Sequence, residues 1–156
     1  MDCTFITPEG KFNYRVGAII IHNNKVLMAT NKRDNYFYSV GGRVRMHETA
    51  EDAVKREVFE ETNCNLEIDR LAIIHENFFT LEHNNQKYHE VCFYFYMMVP
   101  EDIEIYCSSV NDENIDETME WLPINELDKF IIHPDFFANE LTNSTDNIKH
   151  IVTFQN

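Results

Sequence analysis

Apolar runs separated by polar turn residues divide the first part of the chain into predicted β-strands. Residues 14–22 and 25–30 are rich in aliphatic and β-branched side chains and flank Asn23-Asn24, a pair that favours a tight hairpin. A shorter aromatic run at 36–40 ends at Gly41-Gly42. These patterns predict antiparallel strands early in the chain.

Two longer strands are predicted at residues 66–79 and 88–99, on either side of the turn-like sequence His83-Asn84-Asn85. Successive side chains of a strand point to opposite faces, so the second run divides into two sets. One face carries His89, Val91, Phe93, Phe95 and Met97, and the other carries Tyr88, Glu90, Cys92, Tyr94 and Tyr96.

A helix is predicted between these two groups of strands. Thr49 with Asp52 three residues later resembles a capping box, and Ala50, Ala53 and Val54 begin a stripe with helical spacing. Together with the strands, this single long helix predicts a mixed sheet with few helices.

The last third of the chain is less regular. From Pro100 to Trp121 it is acidic, which favours a surface loop or an edge strand. Pro123 and Pro134 are each placed to open a short helix. Residues 143–147 resemble a linker, and residues 148–154 form either a last strand or a frayed tail. We expect residues 1–156 to form one domain.

Composition narrows the classes of function. The formal net charge of -14 argues against a groove for a nucleic acid polymer, because such grooves depend on Lys and Arg. A small phosphate-bearing molecule remains possible if a cation mediates the contact. The chain shows neither a signal-peptide pattern nor an apolar run long enough for a membrane span. We expect a soluble, cytoplasmic protein with no membrane partner, and reduced thiols at the scattered positions Cys3, Cys64, Cys92 and Cys107.

The end of the predicted helix concentrates negative charge. Glu57, Glu60 and Glu61 stand at i, i+3 and i+4, so they crowd one side, and the apolar stripe runs into Glu57 and Glu61. At the margin of a core each pair repels by roughly 3 kcal/mol. Arg56 can neutralise one acid, whereas a hard divalent cation such as Mg²⁺ neutralises all three. The alternative is a solvated acidic helix end, and spacing alone does not choose between them.

The residues upstream of the acids complete a known motif. Gly42, five residues, Glu48, seven residues and then Arg56-Glu57-Val58-Phe59-Glu60-Glu61 closely resemble the Nudix box, which ends near Cys64. The chain departs from the motif at Asn63, where the box has its second Gly, although Asn is the next-best residue for a left-handed helix end.

This resemblance implies a Nudix hydrolase, an α/β/α sandwich around a mixed β-sheet that cleaves nucleoside diphosphate derivatives with Mg²⁺ or Mn²⁺. It implies a metal site formed by Glu57, Glu60, Glu61 and the Gly41 carbonyl. It also implies that Arg56 positions the acids and that Glu48 supports the loop.

Several assignments stay open at this point. A further acid from the late loop can complete the metal site, with candidates Glu113, Glu117 and Glu120, of which we favour Glu117. Two roles are open to the basic residues near the motif: they contact phosphate, or they are solvated surface cations. These residues are Lys32, Arg33, Arg43 and Arg45. Phe78 or Phe79 can stack on a base or belong to the core.

The sequence does not fix the substrate, and it leaves a homodimer as one possible assembly. A non-catalytic nucleotide sensor on the same scaffold is the main alternative function. An isomerase related by fold is a weaker one, because the reactive Cys and acid pair that it needs is not evident.

Overall fold

The computed structural model describes residues 1–31, 33–105, 108–110 and 116–155, and for 108–110 it describes the backbone only. The longest helix, α1, covers Ala50–Thr62, and a second, α2, covers Phe137–Glu140. A short 3-10 helix covers Ile124–Lys129. The strands are β1 Thr4–Thr7, β2 Gly10–Ile19, β3 Ile21–His22, β4 Lys25–Asn31, β5 Phe37–Arg43, β6 Ile68–Leu81, β7 Gln86–Met97, β8 Ser108–Val110, β9 Asp116–Pro123, β10 Ile132–His133 and β11 Lys149–Gln155.

The strands form one mixed sheet, as the sequence predicts. Its main order is β11-β6-β7-β2-β5-β4-β9-β8, with β1 beside β2, β3 beside β4 and β10 beside β5. Three pairs are parallel, namely β2 with β7, β6 with β11 and β5 with β10, and the other pairs are antiparallel.

Strand β5 joins the two halves of this sheet. Its first part pairs with β4 through Tyr38 and Ser39, and its last part, from Val40 to Arg43, pairs with β2. The two halves diverge where β5 changes partner, and a cleft opens there.

Helices cover both faces of the sheet, which gives the expected α/β/α sandwich. On one face α1 packs through Ala53, Val54 and Val58 in a cluster that includes Val16, Ala18, Leu27, Val40 and Phe95. On the other face α2 and the 3-10 helix pack in a cluster that includes Ile19, Met28, Tyr94, Leu127 and Phe137. Alternation along β2, β4 and β7 divides their side chains between the two clusters, as the pattern of β7 predicts.

Local turn chemistry agrees with the sequence predictions. Asn23 and Asn24 have φ angles of 51° and 60°, as a primed hairpin turn requires, and Asn85 has a φ of 55°. Helix α1 begins where the Thr49 side chain accepts from the Asp52 N–H, and it ends at Asn63 with a φ of 58°. Asn63 therefore supplies the left-handed end in place of the Gly of the motif.

The last third of the chain shows where the sequence was less informative. Residues 149–155 form a strand, β11, that pairs in parallel with β6, so this segment is not a frayed tail. In the segment predicted as a loop or an edge strand, residues 101–105 are irregular and β8 lies at the edge of the sheet, but β9 lies between β4 and β8 and is therefore an inner strand. The helix after Pro123 is of the 3-10 type, and α2 is a single turn. Among the described residues, no helix is long and apolar enough to cross a bilayer.

Candidate active site

Arg56 holds the loop before α1 against the helix itself. Its Nε and one terminal nitrogen donate to the two carboxylate oxygens of Glu48, at 2.7 and 2.9 Å. Its other terminal nitrogen donates to Glu57 at 2.8 Å, and the terminal nitrogen that bonds Glu48 also donates to the Arg43 carbonyl at 3.0 Å. These bonds raise the pKa of Arg56, and the bond from Arg56 is the main cause that lowers the pKa of Glu48. The guanidinium therefore fixes one acid on the loop and one on the helix.

Glu57 packs directly on the backbone of Gly42. A Cβ atom at Gly42 would lie 2.4 Å from the carboxylate carbon of Glu57, so only glycine leaves room for this acid. Burial raises the pKa of Glu57, and the bond from Arg56 acts in the opposite direction. Glu57, which belongs to α1, is thus held in a partly desolvated position against β5.

Glu61 lies one turn further along α1, against Gly41, the β5 residue that precedes Gly42. Its carboxylate accepts from the Gly41 N–H at 3.3 Å. Burial raises the pKa of Glu61 well above its ordinary value, and the negative charges of Glu117 and Glu57 raise it further. A buried carboxylate with like-charged neighbours is the arrangement that a cation stabilises.

Glu117 reaches this position from β9. It is 5% exposed and accepts from the Tyr38 hydroxyl at 2.5 Å. Burial is the main cause that raises the pKa of Tyr38, followed by the bond to Glu117. We call Gly41, Glu61 and Glu117 the acidic wall, because all three line one side of the cleft.

Glu60 is placed differently from its neighbours on α1. Its side chain is 46% exposed and contacts Arg56 at 3.3 Å and Arg45 at 3.6 Å. The structure therefore brings Glu57, Glu61 and Glu117 together and leaves Glu60 at the solvent edge.

The cleft beside the acidic wall has a volume of about 940 Å³. Its opposite side is formed by Arg15 on β2, Glu90 on β7 and Asn77 on β6, which we call the polar row. Asn13 donates to Glu90 at 2.7 Å. Desolvation lowers the pKa of the half-buried Arg15, but the opposing charges, of which Glu90 is the largest, leave that pKa raised. The Glu90 carboxylate therefore accepts from the Asn13 amide and also interacts with the charge of the Arg15 guanidinium.

The side chain of Asn77 is oriented by β11. The Thr153 hydroxyl donates to the Asn77 carbonyl oxygen at 2.7 Å and lies 2.8 Å from Nε2 of His75. A hydroxyl has one hydrogen, so His75 Nε2 is the donor in that second bond. Because its oxygen is already bonded, Asn77 has its N–H groups available to the cleft, and none of the described residues accepts from them.

Sequence reasoning missed Arg15, Tyr38, Asn77 and Glu90. The alternation of β7 did contain a signal, since Glu90 is a charged residue on the same face as Cys92 and Tyr94. A charge on an otherwise apolar strand face requires a partner or a function.

The remaining candidates have other positions. Lys32 and Glu113 lie outside the described residues, and Glu120 is exposed. Arg33 pairs with Asp34 at 3.4 Å, and Arg43 lies 3.8 Å from Asp2. Phe79 lines the cleft, whereas Phe78 points to the other face of the sheet.

The acids present suit a hard divalent cation by type but are engaged elsewhere. Within the described ranges, no three His, Cys, Asp or Glu side chains converge closely enough to hold an ion. The reason is visible in their bonds: Arg56 engages Glu57, the Gly41 N–H engages Glu61 and Tyr38 engages Glu117. The donor set is nevertheless made of oxygens whose like charges repel, which fits Mg²⁺ or Mn²⁺.

Comparison with known proteins identifies the family. A NUDIX domain model matches residues 11–140. A MutT-like protein of Streptomyces ambofaciens is 33% identical over 63 residues, which cover 40% of this chain and 41% of that protein. The alignment thus spans about two fifths of this relative.

Solved structures share the fold. The MutT protein from Bacillus halodurans gives a TM-score of 0.64 at 18% identity, over 91% of this chain and 90% of that one. An ADP-ribose pyrophosphatase from Streptococcus suis gives 0.58 at 15% identity, over 90% and 98%. Since the domain model covers most of the sequence, the chain belongs to the Nudix family.

Proposed function

We propose that this Nudix protein hydrolyses the pyrophosphate linkage of a small nucleoside diphosphate derivative with the help of Mg²⁺ or Mn²⁺. The observation that carries the proposal is the burial of Glu61 beside Glu57 and Glu117, where its largest charged neighbours are carboxylates. Such a group raises the free energy of the folded protein unless a cation binds there.

Glu57, Glu60 and Glu61 of α1, the Gly41 carbonyl and Glu117 are the groups that we assign to the cation. When bound, a divalent ion neutralises the pyrophosphate and lowers the pKa of a water molecule. Arg56 positions Glu57 through a guanidinium that is itself fixed by both oxygens of Glu48. Glu60 lies at the solvent edge, where it contacts Arg56 and Arg45.

The cleft fits a nucleotide in size and chemistry. Its volume of about 940 Å³ lies in the range of small-molecule sites. The polar row offers donors at Arg15 and Asn77 and an acceptor at Glu90, groups that suit a base or a sugar. The neighbours in fold support this class, since they include an ADP-ribose pyrophosphatase and a UDP-X diphosphatase. The proposed enzyme is one domain, residues 1–156, that acts in the cytoplasm on a diffusible substrate.

The test is incubation with nucleoside triphosphates, nucleotide sugars, ADP-ribose and diadenosine polyphosphates plus Mg²⁺, with the products separated by chromatography. We expect turnover of at least one compound, and its loss in excess EDTA and in Glu57→Gln. Glu51→Gln is the matched control, because Glu51 is an exposed acid of the same helix, and it should keep full activity.

Calorimetric titration with the same compounds separates the hydrolase from the sensor. Binding of a nucleotide without turnover of any compound would favour the non-catalytic sensor and overturn the proposal. Full activity in excess EDTA would instead remove the metal from the mechanism.

A further inference from the structure

Five aromatic rings form a continuous row across the sheet, one from each of five adjacent strands. We call these rings the aromatic row: Phe5 on β1, Phe12 on β2, His89 on β7, Phe78 on β6 and Phe154 on β11. Each is the direct cross-strand partner of the next, and successive ring centroids lie 5.2, 5.4, 4.4 and 4.8 Å apart. The two outer pairs are stacked, Phe12 and His89 meet edge to face, and His89 and Phe78 are tilted, so one face of the sheet presents a row of rings in register.

The face that carries this row is only half covered. Helix α1 packs on the same face further along β2 and β5, over Val16 and Val40. At the aromatic row, by contrast, Phe154 is 75% exposed, Phe5 57% and the neighbouring Val152 44%. Contiguous apolar surface of this kind marks an interaction site rather than ordinary surface.

The distribution of charge on the surface favours a second copy of this chain as the partner. The chain carries 27 acidic residues and a net charge of -14, so two copies repel each other over most of their surface. Around the aromatic row the described carboxylates are Glu76, which bonds His150 at 2.6 Å, and Glu9, which accepts from the Thr7 hydroxyl at 3.1 Å, and Lys87 adds a positive charge. A second copy therefore meets less repulsion on this face than on the acidic remainder of the surface.

The size of the face is sufficient for a dimer. Strand β1 has four residues and β11 has seven. Four strands over about seven residues and β1 over four, at a spacing of about 4.8 Å and about 3.3 Å per residue, give a footprint of roughly 500 Å². Two such faces bury roughly 1,000 Å² in total, about the value expected of a specific interface.

We propose that the aromatic row is the interface of a homodimer. His89 is the middle ring of the five, so a two-fold axis running along β7 places Phe5 against Phe154 of the partner subunit and Phe12 against the partner's Phe78. Two sheets packed in this way lie about 10 Å apart, with their strands nearly aligned. The contact is isologous and closed, so it stops at two copies.

Other occupants are less consistent with the molecule. Aromatic rows also stack on the bases of single-stranded nucleic acid, but such sites combine the rings with a positively charged groove. A chain with a charge of -14 lacks that electrostatic support.

The first experiment measures mass by light scattering across micromolar to millimolar concentrations, using the whole chain. We expect wild type at twice the 18.5 kDa of the chain. Phe5→Lys and Phe154→Lys should each weaken the dimer at least about tenfold in Kd, because each places a charge where the proposed interface buries an aromatic ring. Phe59→Lys is the matched control, because Phe59 is also an exposed ring, at 44%, but lies on α1, and it should remain dimeric.

A second experiment tests the position of the two-fold axis along β7. His89→Cys should be joined into a covalent dimer by a short bis-maleimide far faster than wild type or Phe59→Cys. Three results would overturn the proposal: a monomeric wild type, a dimer that survives both lysine substitutions, or row-dependent binding of single-stranded oligonucleotide by a monomer. These readouts are mass and cross-linking, so they stand or fall independently of the hydrolase activity.

Discussion

Two carboxylates that line the cleft, Glu90 and Glu61, have different electrostatic surroundings. On the polar row, Glu90 accepts from Asn13 at 2.7 Å and lies beside the Arg15 guanidinium. On the acidic wall, Glu61 accepts from one backbone N–H, and its strongest charged neighbours are Glu117 and Glu57. Glu90 therefore has an amide donor and the positive charge of Arg15 near it, whereas the pKa of Glu61 is raised by two like charges whose effect Arg15 opposes.

This difference separates two kinds of substitution that look alike in the sequence. Replacing Glu by Gln on the polar row removes a negative charge that acts on the half-buried Arg15. The same replacement on the acidic wall removes a repulsion. The first should therefore destabilise the protein, whereas the second should not.

Glu61→Gln should have the largest effect, and it should act on catalysis. We expect turnover to fall about 100-fold or more, if the lost ligand matters as much as one electrostatic stabiliser of a transition state. The melting temperature in EDTA should nevertheless equal or exceed that of wild type, because a desolvated charge is removed. Glu57→Gln should lose activity in the same way, although it also loses the ion pair with Arg56. A large loss of stability in EDTA would show that these acids are structural hydrogen-bond partners.

Glu90→Gln should have the next largest effect, and it should act on stability. Arg15 would lose its main charge partner, and we expect a loss of about 2 kcal/mol in the free energy of unfolding. Denaturant titration measures this value, and Glu82→Gln, an exposed acid in the β6–β7 turn, is the control. An unchanged midpoint would contradict the pairing of Glu90 with Arg15.

Arg56→Lys should have a smaller effect on activity despite its conserved charge. A lysine cannot bond both oxygens of Glu48 and also hold Glu57, so we expect about a tenfold loss in kcat/KM. Lys129→Arg, on the exposed 3-10 helix, provides a control for basic substitutions. Activity equal to wild type would make Arg56 a surface cation without a positioning role.

The smallest effect concerns the pH dependence of the metal-free protein. The pKa of Glu61 is raised by folding, so the folded state binds its proton more tightly than the unfolded state does. Its contribution to stability is complete below the unfolded value of about 4.3 and is lost as pH rises through the raised pKa. Melting curves in EDTA should show this decline in wild type and a weaker one in Glu61→Gln, while activity with Mg²⁺ rises over the same range. A parallel decline in both proteins would refute the assignment.

Local rules were enough to predict much of the fold. The Asn23-Asn24 hairpin, the Thr49 cap, the Asn63 helix end and the alternation of β7 depend on residues near one another in the chain, and the structure confirms each one. The spacing of the motif likewise places Arg56, Glu48 and Glu57 in mutual contact.

Contacts between distant strands could not be predicted in this way. The parallel pairing of β11 with β6 and the inner position of β9 depend on registers that no local pattern encodes. For the same reason the polar row was missed, since Arg15, Asn77 and Glu90 converge only when three strands are aligned. Glu117 was one of three candidate acids, and its position opposite Asn31 in the β4–β9 register places it on the acidic wall.

The contact between Gly42 and Glu57 also limits how this gene can change. Every single-base change in a glycine codon that alters the amino acid yields a residue with a Cβ atom, and that atom would lie 2.4 Å from the Glu57 carboxylate. Gly41 is equally restricted, because its φ of 154° and a Cβ at 2.1 Å from the Val16 carbonyl oxygen exclude other residues. A missense change at the Gly42 codon therefore displaces the Glu57 carboxylate, and one at the Gly41 codon strains the backbone against Val16.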